Sequence, residues 1–151
     1  MNIDWKVKHF KDLTVFELYA LLRLRSEVFV VEQNCVYLDA DNIDPHCYHV
    51  LGSAENGLVA CTRLVPPSVI YPEISIGRVV TATSVRRFGI GKQLMQQSIN
   101  AAYELFGSAK IKIGAQQYLQ KFYESFGFNR ISDEYLEDGI PHIYMMKSVS
   151  S

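Results

Sequence analysis

The stretch VRRFGIGKQLM, residues 85–95, joins a β-branched run to an amphipathic segment through two closely spaced glycines. This order predicts a strand, a tight turn and a helix. The unpaired amides of such a turn and the positive end of the helix dipole attract an anion, and pyrophosphate suits both. Arg86, Arg87 and Lys92 add positive charges for phosphate groups. The bare pattern equally fits an ordinary turn with helix-capping glycines.

Two other phosphate-binding motifs do not match this stretch. A P-loop needs G-x-x-x-x-G-K-[ST], but Arg86 replaces the first glycine and Gln93 replaces the hydroxyl residue. A dinucleotide-binding turn needs G-x-G-x-x-G, but Leu94 occupies the third glycine position. What remains is a pattern R-x-x-G-x-G that can hold a pyrophosphate.

The remaining chain predicts alternating strands and helices. Thr14 and Glu17 form a capping box before a helical pattern that runs to about Val31, and Asn56-Gly57 predicts a hairpin turn. The predicted elements are a strand in 1–10, a helix from 15 to about 31, a loop over 34–47, strands 48–54, 58–65 and 73–81, a helix 90–106, a strand 110–115, a helix 116–126, and two final strands around 138–139 with the last over 142–149. This alternation predicts a mixed α/β sheet with helices on its faces.

Composition narrows the class of protein. The chain has 151 residues, 48% of them hydrophobic, and a net charge of −1, so we expect one domain over 1–151 and no nucleic-acid or membrane partner. It has neither a run of ~18 apolar residues nor an apolar secretion signal at its N-terminus. Three scattered cysteines, Cys35, Cys47 and Cys61, argue against a disulfide framework, and we expect a cytoplasmic protein. The group His46, Cys47, His49 and Cys35 lacks the paired spacing of a zinc site, so we expect no metal.

Two longer stretches resemble a known family. VVTATSVRRFGIGKQLM, residues 79–95, resembles motif A of the GNAT superfamily of N-acetyltransferases, and KIKIGAQQYLQKFYESFGF, residues 110–128, resembles its motif B. LRLRSEVFVVEQNC (22–35), IGRVV (76–80) and EDGIPHIYMM (137–146) are similar to the ElaA branch of that superfamily. The resemblance implies a single-domain α/β fold with a mixed, mostly antiparallel sheet, a V-shaped splay between two central strands and helices on both faces. It implies transfer of an acetyl group from acetyl-CoA directly to a primary amine of a small molecule or protein.

The resemblance also implies which residues hold the coenzyme. The pyrophosphate would lie on the turn, and the pantetheine arm would bond the backbone at the end of the preceding strand. The implied set is Val79, Val80, Thr81, Arg86, Arg87, Phe88, Gly89, Ile90, Gly91, Lys92 and Gln116. Gln116 and Leu119 depart from the usual Asn and Ala of motif B, and Ser75 stands where histone-modifying relatives carry a glutamate base.

Tyr123 is the catalytic residue that the resemblance implies. It lies four residues before the pair Gly127-Phe128, where many members place the acid that protonates the leaving thiolate. Its neighbours Phe122 and Phe126 also allow a role in aromatic core packing.

Five polar residues are candidates for binding the acceptor amine. Glu32 and Gln33 interrupt an apolar run where the family builds its acceptor wall. His49 and His142 fall on predicted strands, and Arg78 needs either Glu32 or an acidic acceptor as a partner if it is buried. Transfer of a longer acyl chain and a non-catalytic acetyl-CoA sensor remain alternatives. The sequence leaves monomer and homodimer equally open.

Overall fold

The computed structural model describes residues 1–149, which form eight strands and three α-helices. The strands are β1 (Asp4–His9), β2 (Tyr48–Ala54), β3 (Gly57–Val65), β4 (Ser75–Thr81), β5 (Ile111–Gln116), β6 (Phe128–Arg130), β7 (Tyr135–Glu137) and β8 (Ile140–Lys147). The helices are α1 (Val15–Arg25), α2 (Ile90–Phe106) and α3 (Gln120–Glu124). Within 1–149, no helix combines the length and apolar character that crossing a membrane requires.

The strands make two antiparallel sheets that join at one point. The first sheet has the order β1-β2-β3-β4, and the second has the order β5-β8-β6 with β7 beside β8. A parallel bridge between Ile74 and Ile111 connects them, and the amide of Lys112 donates to the carbonyl of Ile74 at 2.9 Å. Beyond that bridge β4 and β5 diverge, and in the described chain neither pairs with the other. This is the predicted V-shaped splay.

Helices cover both faces of the first sheet, because side chains of successive strand residues point to opposite faces. Val50 in β2 packs into the cluster that contains Leu94 and Met95 of α2. Its neighbour Leu51 packs into the cluster that contains Leu21 and Leu24 of α1. The predicted fold class is confirmed in each of these respects.

Local signals place the start of α1 and the end of α2 where the sequence predicts them. The Thr14 hydroxyl accepts from the Glu17 amide at 3.0 Å, and the Glu17 carboxylate accepts from the Thr14 amide at 2.9 Å, so the capping box is present. Gly107 ends α2 with φ +87°, a conformation that favours glycine.

The structure corrects three predicted elements. The first helix is α-helical only to Arg25 and continues as a π-helical turn over Ser26–Glu32. Gln116 is the last residue of β5 and not the start of a helix. The third difference is β6, which the sequence did not predict; it pairs with β8 because Phe128 is buried directly after the turn at Gly127, where φ is +94°.

Candidate active site

A cleft of about 880 Å³ opens between β4 and β5 where the two strands diverge. Its other walls come from the segment 28–43, the turn before α2, α3, and the turn between β7 and β8. The predicted site residues that line it are Glu32, Gln33, Arg78, Val79, Val80, Thr81, Arg86, Gly91, Gln116, Tyr123 and His142. The fold therefore gathers residues from distant parts of the sequence around one space.

The glycine turn lies at one end of this cleft. Gly89 caps α2 in the left-handed conformation, with φ +73° and an exposed surface. Arg87, Phe88 and Lys92 are also exposed but lie outside the cleft wall, whereas the side chain of Ile90 is buried in the core. Only the backbone of Ile90 can therefore take part in binding an anion at this turn.

A short segment, residues 32–35, crosses the cleft and contacts its far side three times. The Glu32 carboxylate accepts from both terminal nitrogens of Arg86, with Nη2 at 2.9 Å from Oε1. The side-chain amides of Gln33 and Gln116 meet at 3.4–3.5 Å. The Cys35 thiol donates to the carbonyl of Asp138 at 3.5 Å. We call residues 32–35 the strap.

The strap changes the electrostatics of the glycine turn. The Arg86 guanidinium is bonded to the Glu32 carboxylate and, at 3.2 Å, to the carbonyl of Thr81. Hydrogen bonding from Arg86 lowers the pKa of the Glu32 carboxyl. Glu32 is thus charged, exposed and paired with Arg86.

A bulge in β4 marks the middle of the cleft. Arg78 has φ +48°, a left-handed conformation that is costly for a residue with a side chain. The register with β3 shifts at this point, between Cys61 and Arg63. The extra residue redirects the β4 backbone beside the cleft, as bulges near binding sites commonly do.

Arg78 does not pair with Glu32, which corrects that prediction. Its Nε lies 2.9 Å from Oδ1 of Asp39, and its Nη2 lies 3.3 Å from Oδ2 of Asp41. The first contact is an ion pair and not a hydrogen bond, because the Nε–H does not point along it. Its guanidinium also lies 5.6 Å from the ring centre of Tyr37. These contacts fix the bulge from the loop side.

Six charged residues close into a ring beneath the bulge. Each arginine pairs with two aspartates and each aspartate with two arginines, in the order Arg25, Asp39, Arg78, Asp41, Arg63, Asp44 and back to Arg25. We call these six residues the ion ring. Although burial opposes it, hydrogen bonding from Arg63 lowers the pKa of Asp41 to about 2. The loop predicted over 34–47 is therefore held by charges to α1, β3 and β4.

Tyr123 both packs in the aromatic core and lines the cleft. Only 6% of the residue is exposed, and its ring packs edge-on to Phe122 and Phe128 at 5.2 and 6.0 Å. The residue also lines the cleft. Burial raises the pKa of its phenol, so the hydroxyl carries its proton at neutral pH.

His142 lies on the opposite wall, next to Gln116 in the β5–β8 register. Its Nδ1 is 2.7 Å from the carbonyl of Ile140, and its Nε2 is 3.3 Å from Oε2 of Glu137. A carbonyl oxygen can only accept, so Nδ1 is the donor, and Nε2 is the ring nitrogen that can gain or lose a proton.

His49 does not belong to the site, which corrects its assignment to the acceptor. It is 1% exposed and does not line the cleft, and its Nε2 lies 3.2 Å from the carbonyl of Asp44. Burial lowers the pKa of its imidazole. The residue connects β2 to the loop that carries the ion ring, so its role is structural.

Sequence reasoning missed Asp41 and Arg63 as parts of the cleft wall and Asp39 as their buried neighbour in the ion ring. The polar loop carried three aspartates at close spacing, and β3 carried one arginine in an apolar run. A buried arginine needs a carboxylate, so these two signals together could have indicated the ion ring.

Comparison with known proteins agrees with this architecture. The profile of the Acetyltransferase (GNAT) domain matches residues 41–149. The chain belongs to the GNAT acetyltransferase family. It is 40% identical to the protein ElaA of Escherichia coli over 149 residues, which covers 97% of each chain. The predicted membership and its ElaA-like character are confirmed.

Solved GNAT structures share the arrangement closely. The crystal structure of Escherichia coli ElaA superimposes with a TM-score of 0.91 at 40% identity and covers 97% of this chain and 100% of its own. An acyl-CoA N-acyltransferase from Pseudomonas aeruginosa gives a TM-score of 0.91 at 42% identity, covering 96% of this chain and 99% of its own. The splayed sheet is thus shared with GNAT relatives at high identity.

Proposed function

We propose that this GNAT protein transfers an acetyl group from acetyl-CoA directly to a primary amine of a small molecule or protein. One observation carries the proposal: the cleft is lined by the phenol of Tyr123 on one face and by the imidazole of His142 on the other. Ile113 and Ala115 of β5 point into the core cluster that contains Tyr123, whereas Gln116 points the other way and lies beside His142. The residues proposed to donate and to accept protons thus lie on opposite sides of β5.

The coenzyme would bind along β4 with its pyrophosphate at the glycine turn. The edge of β4 that faces β5 has no strand partner beyond Ile74 in the described chain. Backbone groups of Val79, Val80 and Thr81 on that edge are candidates to bond the pantetheine arm, as they would bond an added strand. Arg86 and the first amides of α2 would hold the pyrophosphate, with Arg87 and Lys92 adding charge from the rim.

The bulge and the splay would place the thioester between Tyr123 and His142. The amine nitrogen attacks the carbonyl carbon, the C–N bond forms and the C–S bond breaks. Tyr123 gives its proton to the departing thiolate. Backbone amides freed by the bulge are suited to polarise the carbonyl oxygen.

The protons balance as follows. An alkylammonium acceptor brings three protons on nitrogen. His142 takes one of them to solvent, directly or through one water, which generates the attacking amine. A second leaves the adduct and restores the Tyr123 hydroxyl, and the third stays on the amide product. Ser75, buried in β4, cannot supply a base, so this role passes to His142 with the Glu137 carboxylate beside it.

Release of free coenzyme thiol tests the proposal. Acetyl-CoA is mixed with a panel of primary amines, and thiol is followed with and without protein. Turnover that depends on an amine supports the proposal. Tight coenzyme binding without thiol release from any amine would instead indicate a sensor, the reading motivated by Ser75.

The preferred length of the acyl group is tested in a separate experiment. Thioesters from acetyl to long-chain acyl are compared by kcat/KM with one accepted amine. A maximum at acetyl supports the proposed donor. A maximum at a longer chain would make the protein an acyltransferase of another specificity within the same chemistry.

A further inference from the structure

Two consecutive residues of the strap are hydrogen-bonded to two of the side chains implied to hold the coenzyme. Glu32 holds Arg86, and Gln33 holds Gln116. Glu32 and Gln33 are themselves the candidates for the acceptor wall. The residues implied to bind the coenzyme are therefore in direct contact with the residues that are candidates to bind the acceptor.

The Glu32–Arg86 contact and a coenzyme pyrophosphate exclude each other. The carboxylate takes both terminal nitrogens of the guanidinium, which is the same fork that a phosphate oxygen pair would use. Nη2 additionally donates to Thr81 O, so three of the five N–H groups of Arg86 are engaged, and the fork toward Glu32 can hold one anion at a time. One of the two anions has to leave this fork when the other binds.

The balance between the two anions favours the coenzyme. The side chains of Arg86 and Glu32 are 38% and 41% exposed, and exposed pairs of this kind contribute little to stability. Pyrophosphate carries more charge than a carboxylate and also meets the N-terminus of the 17-residue helix α2. Displacement of Glu32 is therefore expected once the coenzyme binds.

The released carboxylate would face the cleft without a partner. Asp41, the acid of the ion ring that lines the cleft, already pairs with Arg63 and Arg78. His142 lies near Glu137 on the far wall. A freed Glu32 thus becomes a negative charge that a cationic group can pair with.

We propose that Glu32 is an exchangeable partner: it holds Arg86 until the coenzyme's pyrophosphate displaces it, and then binds the ammonium group of a cationic amine acceptor. This inference rests on the proposed function and names the acceptor's charge and the order of events. The acceptor wall is complete only when the coenzyme is in place.

A double-mutant cycle on coenzyme binding tests the first half. The dissociation constant of CoA is measured by calorimetry for the wild type, Glu32→Gln, Arg86→Gln and the double variant. Removing the competing charge should tighten CoA binding about two- to fivefold when Arg86 is present, the worth of an exposed ion pair. Glu32→Gln should not change CoA affinity in the Arg86→Gln background.

Glu27→Gln is the matched control. Glu27 also forms an exposed pair with an arginine, Arg23, at 2.9 Å, but belongs to neither side of the cleft. The Glu27→Gln variant should leave CoA affinity unchanged. Equal affinity of wild type and Glu32→Gln, or tightening that persists without Arg86, would overturn the exchange. Failure of the wild type to bind CoA would overturn the proposed function as well, which separates the two failures.

The acceptor half is tested by kinetics at saturating acetyl-CoA. Glu32→Gln should raise KM for a cationic amine about two- to fivefold, again the range of an exposed pair, while Glu27→Gln should not. An unchanged KM for the amine would overturn the role of Glu32 in acceptor binding.

Discussion

The Nε atom of Arg78 lies 2.9 Å from Oδ1 of Asp39, and Arg78 is the residue of β4 that has a φ of +48°. The loop that carries Asp39 thereby fixes the backbone of the strand that lines the cleft. Asp39 also binds Arg25, whose Nε lies 2.8 Å from its Oδ2. One carboxylate thus connects α1, the loop and the bulge, and its removal should affect stability and site geometry together.

Asp39→Asn should destabilise the protein strongly. The change leaves the buried Arg25 and the partly buried Arg78 with one charged partner fewer, and breaking a buried pair costs roughly 3–5 kcal/mol. The free energy of unfolding by urea measures the loss. Glu27→Gln, which breaks an exposed pair, should cost less than ~1 kcal/mol. Equal losses in the two variants would contradict a structural role for the ion ring.

Stability should fall at low pH because of Asp41. Its folded-state pKa of about 2 lies below the unfolded value of 3.8. A lowered pKa means that the carboxylate stabilises the fold above pH ~4 and that this stabilisation is lost as the pH falls toward 2. Urea unfolding at several pH values should show a shallower acid slope for Asp41→Asn than for the wild type. Identical slopes would contradict the ion-pair assignment.

Tyr123→Phe should reduce kcat and leave the dissociation constant of CoA nearly unchanged. The variant keeps the packed ring and removes only the proposed proton donor, and such donors contribute about 10²–10⁴-fold to rate. Turnover and calorimetric binding check the two halves. Tyr103→Phe is the control, since Tyr103 also has a buried hydroxyl but lies outside the cleft lining. Full activity in Tyr123→Phe would remove the acid assignment.

His142→Gln should lower kcat/KM for the amine by a factor that grows as the pH falls through the neutral range. Glutamine keeps a polar side chain but cannot take up a proton, and the rate should then depend on amine that is already neutral. A pH profile of kcat/KM gives the result. The exposed His46→Gln variant should behave as wild type. An unaltered profile in His142→Gln would assign proton removal to another group.

Local patterns predicted most of the fold, because interactions between residues close in sequence determine the helix caps and the turns. The capping box at Thr14, the hairpin at Gly57 and the turn at Gly89 each depend on a few adjacent residues. The cleft residues of β4 and the glycine turn follow from the same reasoning together with the family resemblance.

The sequence patterns could not predict which residues pair over long distances in the chain. The partners of Arg78 are Asp39 and Asp41, 39 and 37 positions earlier in the chain, and no spacing rule connects them. The sequence predicted His49 on a strand and as a candidate for binding the acceptor, but β2 is an interior strand and the imidazole ring is buried. The Glu32–Arg86 contact spans 54 positions and brings together two residues that the sequence assigned to different ligands.

The most direct test of the central claim is product analysis of a single reaction mixture. Acetyl-CoA, an accepted amine and the protein are incubated together, and free CoA thiol and N-acetylated amine are quantified in parallel. We predict that the two products appear in equal amounts and that neither accumulates at an appreciable rate with Tyr123→Phe. Thiol release without an N-acetylated amine, or no amine-dependent product at all, would contradict the account.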